Sequence, residues 1–373
     1  ANHHKRVSEN NQNTALITWE SDLLAPAIIA PQVLRVRQST ACILVQDSLK
    51  RLYFFDKNGD NLWPSDRVLK EAINSKVYEI DFYDNGDIQY AFSTAYHIYV
   101  IDAKGQEIKK IPLISRAVNG LLVKDSGKGP LFFIACNNGM VYGYNQFGKP
   151  LSGWRPLEAS GRIPYTLKHM SFNQKKYFMG LNQGGQLQAF DPKGALIFSV
   201  TQPIERVNNW GLDPTIGRVA VGTDLGTVKI FNSQGQHFSF KPIEAMRPPI
   251  DFLYADLEGD QRKDYIRISD SLMYIHYYQK DAKGSDKIQK KGPFSIPFSK
   301  NKSIFEVAVD GNGNKMIGLL DLDNHSVALI DKNGQIQPGF PLPGTTKFTL
   351  SDLFEEHAAT LVVANHQKVY ACK

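Results

Sequence analysis

A pattern of an apolar strand followed by Asp or Asn, two further residues and Gly recurs along the whole chain. Six copies are complete, and in each the Gly lies six residues after the second strand residue. These copies span residues 52–59, 98–105, 141–148, 187–194, 228–235 and 327–334. An Asp or Asn side chain accepts hydrogen bonds from the backbone that follows it, and Gly supplies the positive φ of a short loop. Each copy therefore predicts a tight β-hairpin.

The spacing of these hairpins predicts the architecture. Two further copies are incomplete: one at 273–278 is followed by a longer turn, and one at 369–373 stops before its turn. The eight copies recur about every 45 residues, which is the length of four short strands with their turns, or one propeller blade. We therefore expect an all-β fold, a single closed β-propeller of about eight four-stranded blades, with seven blades as the alternative.

The two ends of the chain predict how the ring closes. The last copy lacks an outer strand because the sequence ends at Lys373, and an unpaired apolar strand lies near the start, at 14–19. Pairing these two segments removes the free sheet edges that an open array would leave. The predicted domains are a flexible N-terminal segment, 1–13, and the propeller, 14–373.

Charge and cysteine usage exclude several classes of protein. The formal net charge is +6, and the basic clusters are too short for a nucleic-acid arm. Cys42, Cys136 and Cys372 are widely spaced within apolar runs, which predicts buried thiols rather than disulfides. The sequence contains no apolar run of membrane-spanning length. We expect no nucleic-acid partner, and membrane association only through a region outside this sequence.

One acidic loop has the spacing of a calcium site. Asp256, Glu258, Asp260 and Asp264 stand at loop positions one, three, five and nine, and alternating carboxylates can converge on Ca²⁺. The loop resembles the calcium loops of FG-GAP and related propeller repeats, although Glu258 replaces a shorter Asp or Asn and Gln261 replaces a Gly. An acidic surface hairpin explains the same residues and is the favoured of the two interpretations. A second acidic and Gly-rich stretch, 310–314, is predicted to be a turn.

The sequence contains no catalytic motif. It has no Gly-x-Ser-x-Gly elbow, His-Glu-x-x-His pair or phosphate-binding loop. We therefore predict a protein that is not an enzyme and has no cofactor, with calcium at the acidic loop as the alternative. The aromatic tails near Trp63, Trp154 and Phe340 are predicted to pack between blades.

The repeat resembles a known family. The hairpin with a following Trp, as in 55–63, is similar to the repeat of quinoprotein-like (PQQ-like) propellers. These include the quinoprotein alcohol dehydrogenases and the bacterial outer-membrane-assembly scaffold lipoproteins. The vicinal cysteine pair of the quinoprotein enzymes has no counterpart here.

A closer similarity is to the C-terminal propeller of large, uncharacterised bacterial envelope proteins. It rests on the stretches 43–47, 89–94, 147–154 and 338–344. It implies a location in the bacterial cell envelope, periplasmic or surface-facing. It also implies an N-terminal region with an export signal or anchor outside this sequence.

Two functions fit these observations. The leading hypothesis is a non-catalytic scaffold that binds a protein partner through loops on one face. The alternative is a carbohydrate-binding or carbohydrate-processing propeller with a glycan partner, for which aromatic side chains would have to face the central funnel. The longer sixth repeat predicts an extra loop at 279–292. Its five lysines suggest either a contact with an acidic partner or a solvated hairpin.

Overall fold

The computed structural model describes residues 16–36, 41–63, 67–154, 157–158, 163–200, 202–280, 286–309, 315–354 and 359–373. Within these ranges the secondary structure consists of 31 β-strands. No helix long and apolar enough to cross a membrane occurs there.

The first half of the described chain contains a closing strand and four blades. The closing strand is β1 (Ile17–Asp22). Blade 1 contains β2 (Gln32–Arg35), β3 (Ala41–Gln46) and β4 (Leu52–Phe55). Blade 2 contains β5 (Tyr78–Ile80), β6 (Gln89–Ser93), β7 (His97–Ile101) and β8 (Glu107–Pro112). Blade 3 contains β9 (Leu122–Asp125), β10 (Pro130–Ala135), β11 (Met140–Asn145) and β12 (Leu157–Glu158). Blade 4 contains β13 (Lys168–Phe172), β14 (Lys175–Leu181), β15 (Leu187–Phe190) and β16 (Leu196–Ser199).

The second half contains the other four blades. Blade 5 contains β17 (Val207–Asp213), β18 (Arg218–Thr223), β19 (Val228–Phe231) and β20 (His237–Phe240). Blade 6 contains β21 (Asp251–Ala255), β22 (Asp264–Ser269), β23 (Leu272–Lys280) and β24 (Asp286–Ser295). Blade 7 contains β25 (Lys302–Ala308), β26 (Lys315–Asp321), β27 (Ser326–Ile330) and β28 (Leu342–Pro343). Blade 8 contains β29 (Thr349–Ser351), β30 (Thr360–Asn365) and β31 (Lys368–Cys372).

Eight separate antiparallel sheets form the ring, so the prediction of eight blades is confirmed and the alternative of seven is wrong. In blades 2 to 7, four consecutive strands pair in chain order. Blade 1 has three strands, and its fourth position is occupied by isolated bridges from Phe55 to Asn61 and from Arg51 to Val68.

The ring closes as the sequence predicts. Strand β1 pairs antiparallel with β31, and Glu20 lies opposite Tyr370. Leu16 and Lys373 extend the pairing through two backbone hydrogen bonds of 3.2 and 3.1 Å. The closing strand begins at Ile17, within the predicted stretch 14–19, and continues to Asp22. Residues 14 and 15 and the predicted boundary at residue 13 lie outside the described ranges.

Each pair of neighbouring blades shares one apolar core cluster. Blades 1 and 2, for example, contribute Phe54 and Tyr90 to the same cluster, while blades 8 and 1 meet around Val362 and Ile43. The remaining neighbours have equivalent clusters. Because both faces of every sheet are buried against other sheets, the middle strands are almost continuously apolar. The core is therefore distributed around the ring.

The repeated turn has the predicted geometry. In the second copy, Asp102 Oδ1 accepts hydrogen bonds from the backbone N–H groups of Lys104 at 2.9 Å and Gln106 at 2.8 Å. Gly105 adopts a φ of 74°. Equivalent pairs of bonds are made by Asp56, Asn145, Asp191, Asn232 and Asp331.

The turn glycine also makes room for a side chain from the preceding blade. A Cβ added to Gly105 would lie 2.9 Å from the ring of Trp63, and Trp63 Nε1 donates to the carbonyl of Ala103 at 2.9 Å. Trp19, Ile111, Phe198 and Phe294 take the equivalent place against Gly59, Gly148, Gly235 and Gly334. Trp63 and Trp154 are buried, as the prediction of packing between blades requires.

The antiparallel topology gives the ring two different faces. The hairpin turns just described and the loops between the first and second strands of each blade form one face, which we call the turn face. The opposite face, which we call the connector face, contains the turns between second and third strands and the links between blades. In blade 2, for example, residues 102–105 lie on the turn face and residues 94–97 lie on the connector face.

The prediction of an extra loop at 279–292 in the sixth repeat is wrong for most of that stretch. Most of the stretch 279–292 continues two strands, because β24 pairs with β23 out to Lys280 and Asp286. Residues 281–285 lie outside the described ranges. Lys291 Nζ lies 4.4 Å from the ring centroid of Tyr277, so this lysine is held over an aromatic ring by a cation–π contact.

The cysteine prediction is confirmed. Cys42, Cys136 and Cys372 are free and buried. Burial raises the pKa of the Cys136 thiol to about 11, so this thiol is protonated near neutral pH and packs as a small apolar group.

We expect Gly105→Ala to destabilise the fold by about 2–4 kcal/mol, because Ala adds left-handed strain and a clash with Trp63. Gly86→Ala is the matched control, since Gly86 has a φ of 83° and open space around the added Cβ. It should cost about 1–2 kcal/mol. Urea denaturation of both variants measures the difference. In a Trp63→Leu background the excess cost of Gly105→Ala should shrink, and equal costs for the two single variants in the parent protein would contradict this account.

Candidate functional site

The acidic loop that predicts calcium binding joins β21 to β22 on the turn face of blade 6. Asp256 caps the loop, because its two carboxylate oxygens accept hydrogen bonds from the N–H groups of Gly259 and Gln261, both at 2.8 Å. Asp260 accepts one from the N–H of Arg262 at 2.9 Å. Gln261 adopts a φ of 67°, the left-handed conformation that the missing Gly would have adopted without strain.

Asp264 differs from the other acids of this loop because it is buried. Its carboxylate accepts hydrogen bonds from the N–H groups of Leu257 at 3.0 Å and Tyr278 at 3.2 Å. Burial raises its pKa to about 7, with a smaller upward contribution from the charges of Glu258 and Asp260. The carboxyl group therefore holds the base of the hairpin together.

These contacts explain the loop as a self-capped hairpin. Within the described ranges, no three or more His, Cys, Asp or Glu side chains are placed to share a metal ion. Calcium binding by Asp256, Glu258, Asp260 and Asp264 stays a prediction. The weaker candidate, 310–314, lies outside the described residues.

Around the central channel, side chains in or just before the inner strands bind the backbone of the next blade. Asn209 Nδ2 donates to the carbonyl of Phe252 at 3.0 Å, for example. The same kind of contact joins Tyr78 to Leu121, Tyr165 to Val207 and Thr349 to Pro31. These bonds align neighbouring inner strands and define the wall of the channel.

A cavity of about 430 Å³ opens along this wall, and its lining residues come from blades 3 to 7. Lys168 lies within it: its ammonium donates to the carbonyl of Trp210 at 2.7 Å and lies 4.8 Å from the Trp210 ring centroid. Burial lowers the pKa of Lys168 to about 8, and the nearby charge of Lys263 contributes to the same shift. Lys263 forms an ion pair of 3.0 Å with Glu306.

The neighbouring histidine is held neutral. His169 Nδ1 lies 3.5 Å from the ammonium of Lys124, so this nitrogen is the acceptor. Burial lowers the pKa of His169 to about 4, and the charges of Lys124 and Lys176 contribute to the same shift. The cavity therefore contains an uncharged imidazole near neutral pH.

The chemistry of this cavity does not match a glycosidase. Among the described residues that line it, Glu306 is the one carboxylate, and it also lies 3.4 Å from Lys315. A glycosidase requires two carboxyl groups across the substrate. The four tryptophans are all buried, at 2% to 8% exposure, so none provides the exposed ring that the carbohydrate alternative needs.

Large exposed apolar side chains follow one sector of the connector face. They lie on the loops of blades 8, 1 and 2 and on the link to blade 3, and they are 39% to 68% exposed. This group, which we call the connector arc, contains Leu24, Ile28, Leu49, Val68, Tyr96 and Ile114.

Hydrogen bonds between adjacent loops make the connector arc continuous. Three backbone N–H groups donate to carbonyl oxygens of a neighbouring loop at 2.8 to 2.9 Å. The pairs are Ser48 to Pro26, Leu69 to Lys50 and Leu113 to Tyr96. The N–H of Tyr96 donates to the Glu71 carboxylate at 2.9 Å and joins the remaining two loops. The apolar side chains therefore project from one connected surface.

Sequence reasoning missed this surface, although a signal was present. Leu49 and Tyr96 lie in turns, where Gly, Pro, Asn, Asp and Ser are the usual residues. An apolar residue in such a turn has no core to enter. Each instance is a single residue in a different loop, so no contiguous motif contains the set.

Comparison with known proteins supports the fold. No protein-family model matches the chain, and no curated protein matches its sequence. Many solved structures share the architecture. BBS1N, crystallised in complex with ARL6DN, is 11% identical with a TM-score of 0.57, covering 97% of both chains. BamB from Moraxella catarrhalis is 12% identical with a TM-score of 0.56, covering 94% of this chain and 99% of its own.

The calcium hypothesis predicts that excess Ca²⁺ raises the thermal midpoint of the parent protein and leaves that of Asp260→Ala unchanged. Asp87→Ala, in the corresponding loop of blade 2, is the matched control and should retain the shift. The interpretation as an acidic hairpin predicts no specific shift in any of the three proteins. Differential scanning fluorimetry with Mg²⁺ as the comparison ion distinguishes the two.

The neutral state of His169 predicts a pH dependence of stability. Between its folded pKa of about 4 and its ordinary value of 6.5, the unfolded state binds more protons, so stability rises with pH across this window. In His169→Phe the slope of the unfolding free energy against pH should fall by the contribution of roughly one bound proton. Urea titrations across this range measure it. His237→Phe, at an exposed position of β20, is the control, and an unchanged slope in His169→Phe would contradict the assignment.

Proposed function

We propose that this chain is a non-catalytic scaffold of the bacterial cell envelope that binds a partner protein through the connector arc. The observation that carries the proposal is the arc itself: six large apolar side chains exposed on adjacent, hydrogen-bonded loops. A continuous apolar surface of this kind marks an interaction site on a folded protein more often than scattered exposed residues do.

The fold suits this role. Bonds between blades fix the loops, so the arc is a preorganised surface whose binding costs little ordering of the scaffold. BBS1N, which shares the architecture over nearly its whole length, was crystallised in complex with ARL6DN. That example supports a propeller of this size as a protein-binding module.

The envelope location rests on resemblance. The repeat is similar to that of quinoprotein-like propellers and of the C-terminal propellers of large envelope proteins, and the bacterial protein BamB shares the fold. A non-catalytic role is supported by the lining of the channel cavity, where Lys263 and Lys315 lie around Glu306.

The test compares matched variants of the two faces in a cross-linking pull-down from bacterial envelope extract. Leu49→Ser/Ile114→Ser changes the connector arc, and Tyr83→Ser/Phe147→Ser changes two exposed residues of the turn face. We expect the first variant to recover at least about tenfold less of a defined partner than the parent protein does, because apolar contacts at the centre of an interface dominate affinity. The second should retain it.

Thermal midpoints close to that of the parent protein establish that both variants fold. Loss of the partner from the turn-face variant, with retention by the arc variant, would contradict the proposal. Selective retention of soluble polysaccharides without any protein partner would favour the carbohydrate alternative instead.

A further inference from the structure

We propose that the connector arc binds an acidic segment of its partner, one that presents apolar side chains to the arc and carboxylates to the basic residues around it. The inference rests on the proposed scaffold function and specifies the chemistry of the partner.

The loops that form the arc carry an excess of positive charge. Segments 23–31, 47–51, 67–77, 94–97 and 112–121 contain six basic and two acidic residues. Lys70 and Arg116 are exposed beside the apolar side chains of Val68 and Ile114. Exposed basic groups therefore lie in the same loops as the apolar side chains.

Both acids of these segments are already engaged. Asp47 is fully buried, and its carboxylate accepts hydrogen bonds from the Arg51 N–H and the Tyr53 hydroxyl, both at 2.9 Å. Glu71 accepts the Tyr96 N–H at 2.9 Å and contacts His97 Nδ1 at 3.0 Å. Neither carboxylate is positioned to neutralise the exposed basic groups of the arc.

The opposite face of the same blades has the reverse charge. The described turn-face segments 56–60, 81–87, 102–106, 125–129 and 145–149 contain seven acidic and four basic residues. An acidic ligand is therefore repelled from the turn face and attracted to the connector face. Charge differences of this kind steer association and exclude wrong orientations.

The shape of the surface favours a segment of polypeptide over a membrane. The apolar and basic residues form a strip across one sector of the ring. A bilayer would meet the whole connector face, including the exposed acids Glu205, Glu244 and Asp323 of the other sector. A helix or extended segment can follow the strip without approaching them, as amphipathic segments do in apolar grooves.

The first arm of the test uses the unaltered protein and two labelled peptides. One is an amphipathic peptide of about 18 residues with Leu on one side and Glu on the other, and its twin has Lys in place of every Glu. Fluorescence anisotropy should show the Glu peptide binding at least roughly tenfold more tightly, with a preference that weakens as salt is added.

The second arm locates the site. Lys70→Glu/Arg116→Glu should abolish the preference for the Glu peptide, and Leu49→Ser/Ile114→Ser should weaken binding of that peptide. The matched control, Phe147→Ser/Lys149→Glu, changes one apolar and one basic residue of the turn face and should leave both properties unchanged. Vesicles of phosphatidylcholine and phosphatidylglycerol test the membrane as the ligand.

Three results would overturn the inference: equal binding of the two peptides, a preference that persists in Lys70→Glu/Arg116→Glu, or binding to anionic vesicles without binding to the Glu peptide. If native partner capture depends on Leu49 and Ile114 while the peptides bind equally, the acidic-segment inference fails and the scaffold proposal stands. If capture is independent of both residues, the scaffold proposal fails at this face.

Discussion

The packing of one blade against the turn glycine of the next is the contact on which the ring depends. Each such glycine closes its hairpin at positive φ and leaves no Cβ in the space that a large side chain of the preceding blade occupies, as Trp63 does over Gly105. The turn residue therefore lacks a Cβ for two reasons: the hairpin requires a positive φ, and the side chain of the preceding blade occupies the space. Because the contact recurs from blade to blade, a single sequence pattern specifies both the hairpin and the angle at which blades meet.

Closure of the ring uses the same contact between a turn glycine and a large side chain. Without β1, the buried apolar strand β31 would be the outer edge of blade 8 and would expose unpaired backbone groups, which promote aggregation. Strand β1 supplies the missing outer strand of blade 8 and places Trp19 over Gly59, so the closing strand also completes the series of contacts between blades. The two ends of the chain thus join the ring through the kind of contact that joins four other pairs of blades in the described part of the chain.

Once the ring is closed, its interior and its faces take different roles. Around the channel, side chains such as Asn209 and Lys168 are used to bind the backbone of the next blade, and the charges there are paired or held close to aromatic rings. Exposed side chains in the loops at the ends of the strands are not needed for these contacts around the channel. Exposed apolar residues can therefore accumulate on the connector face, where they add nothing to the core and are available to a partner.

The sequence by itself determined the repeat, its six complete hairpins, the strand that closes the ring and the burial of the cysteines, since all of these depend on local spacing and on residue type. It also located the acidic loop at Asp256 to Asp264, but not that Asp264 is buried within the base of the hairpin. Only the tertiary structure decided which exposed residues lie together. Leu24, Leu49, Tyr96 and Ile114 are far apart in the chain and become one surface because the ring brings the same end of each blade to the same side. Contacts of that kind depend on the closed topology and leave no periodic signal in the sequence.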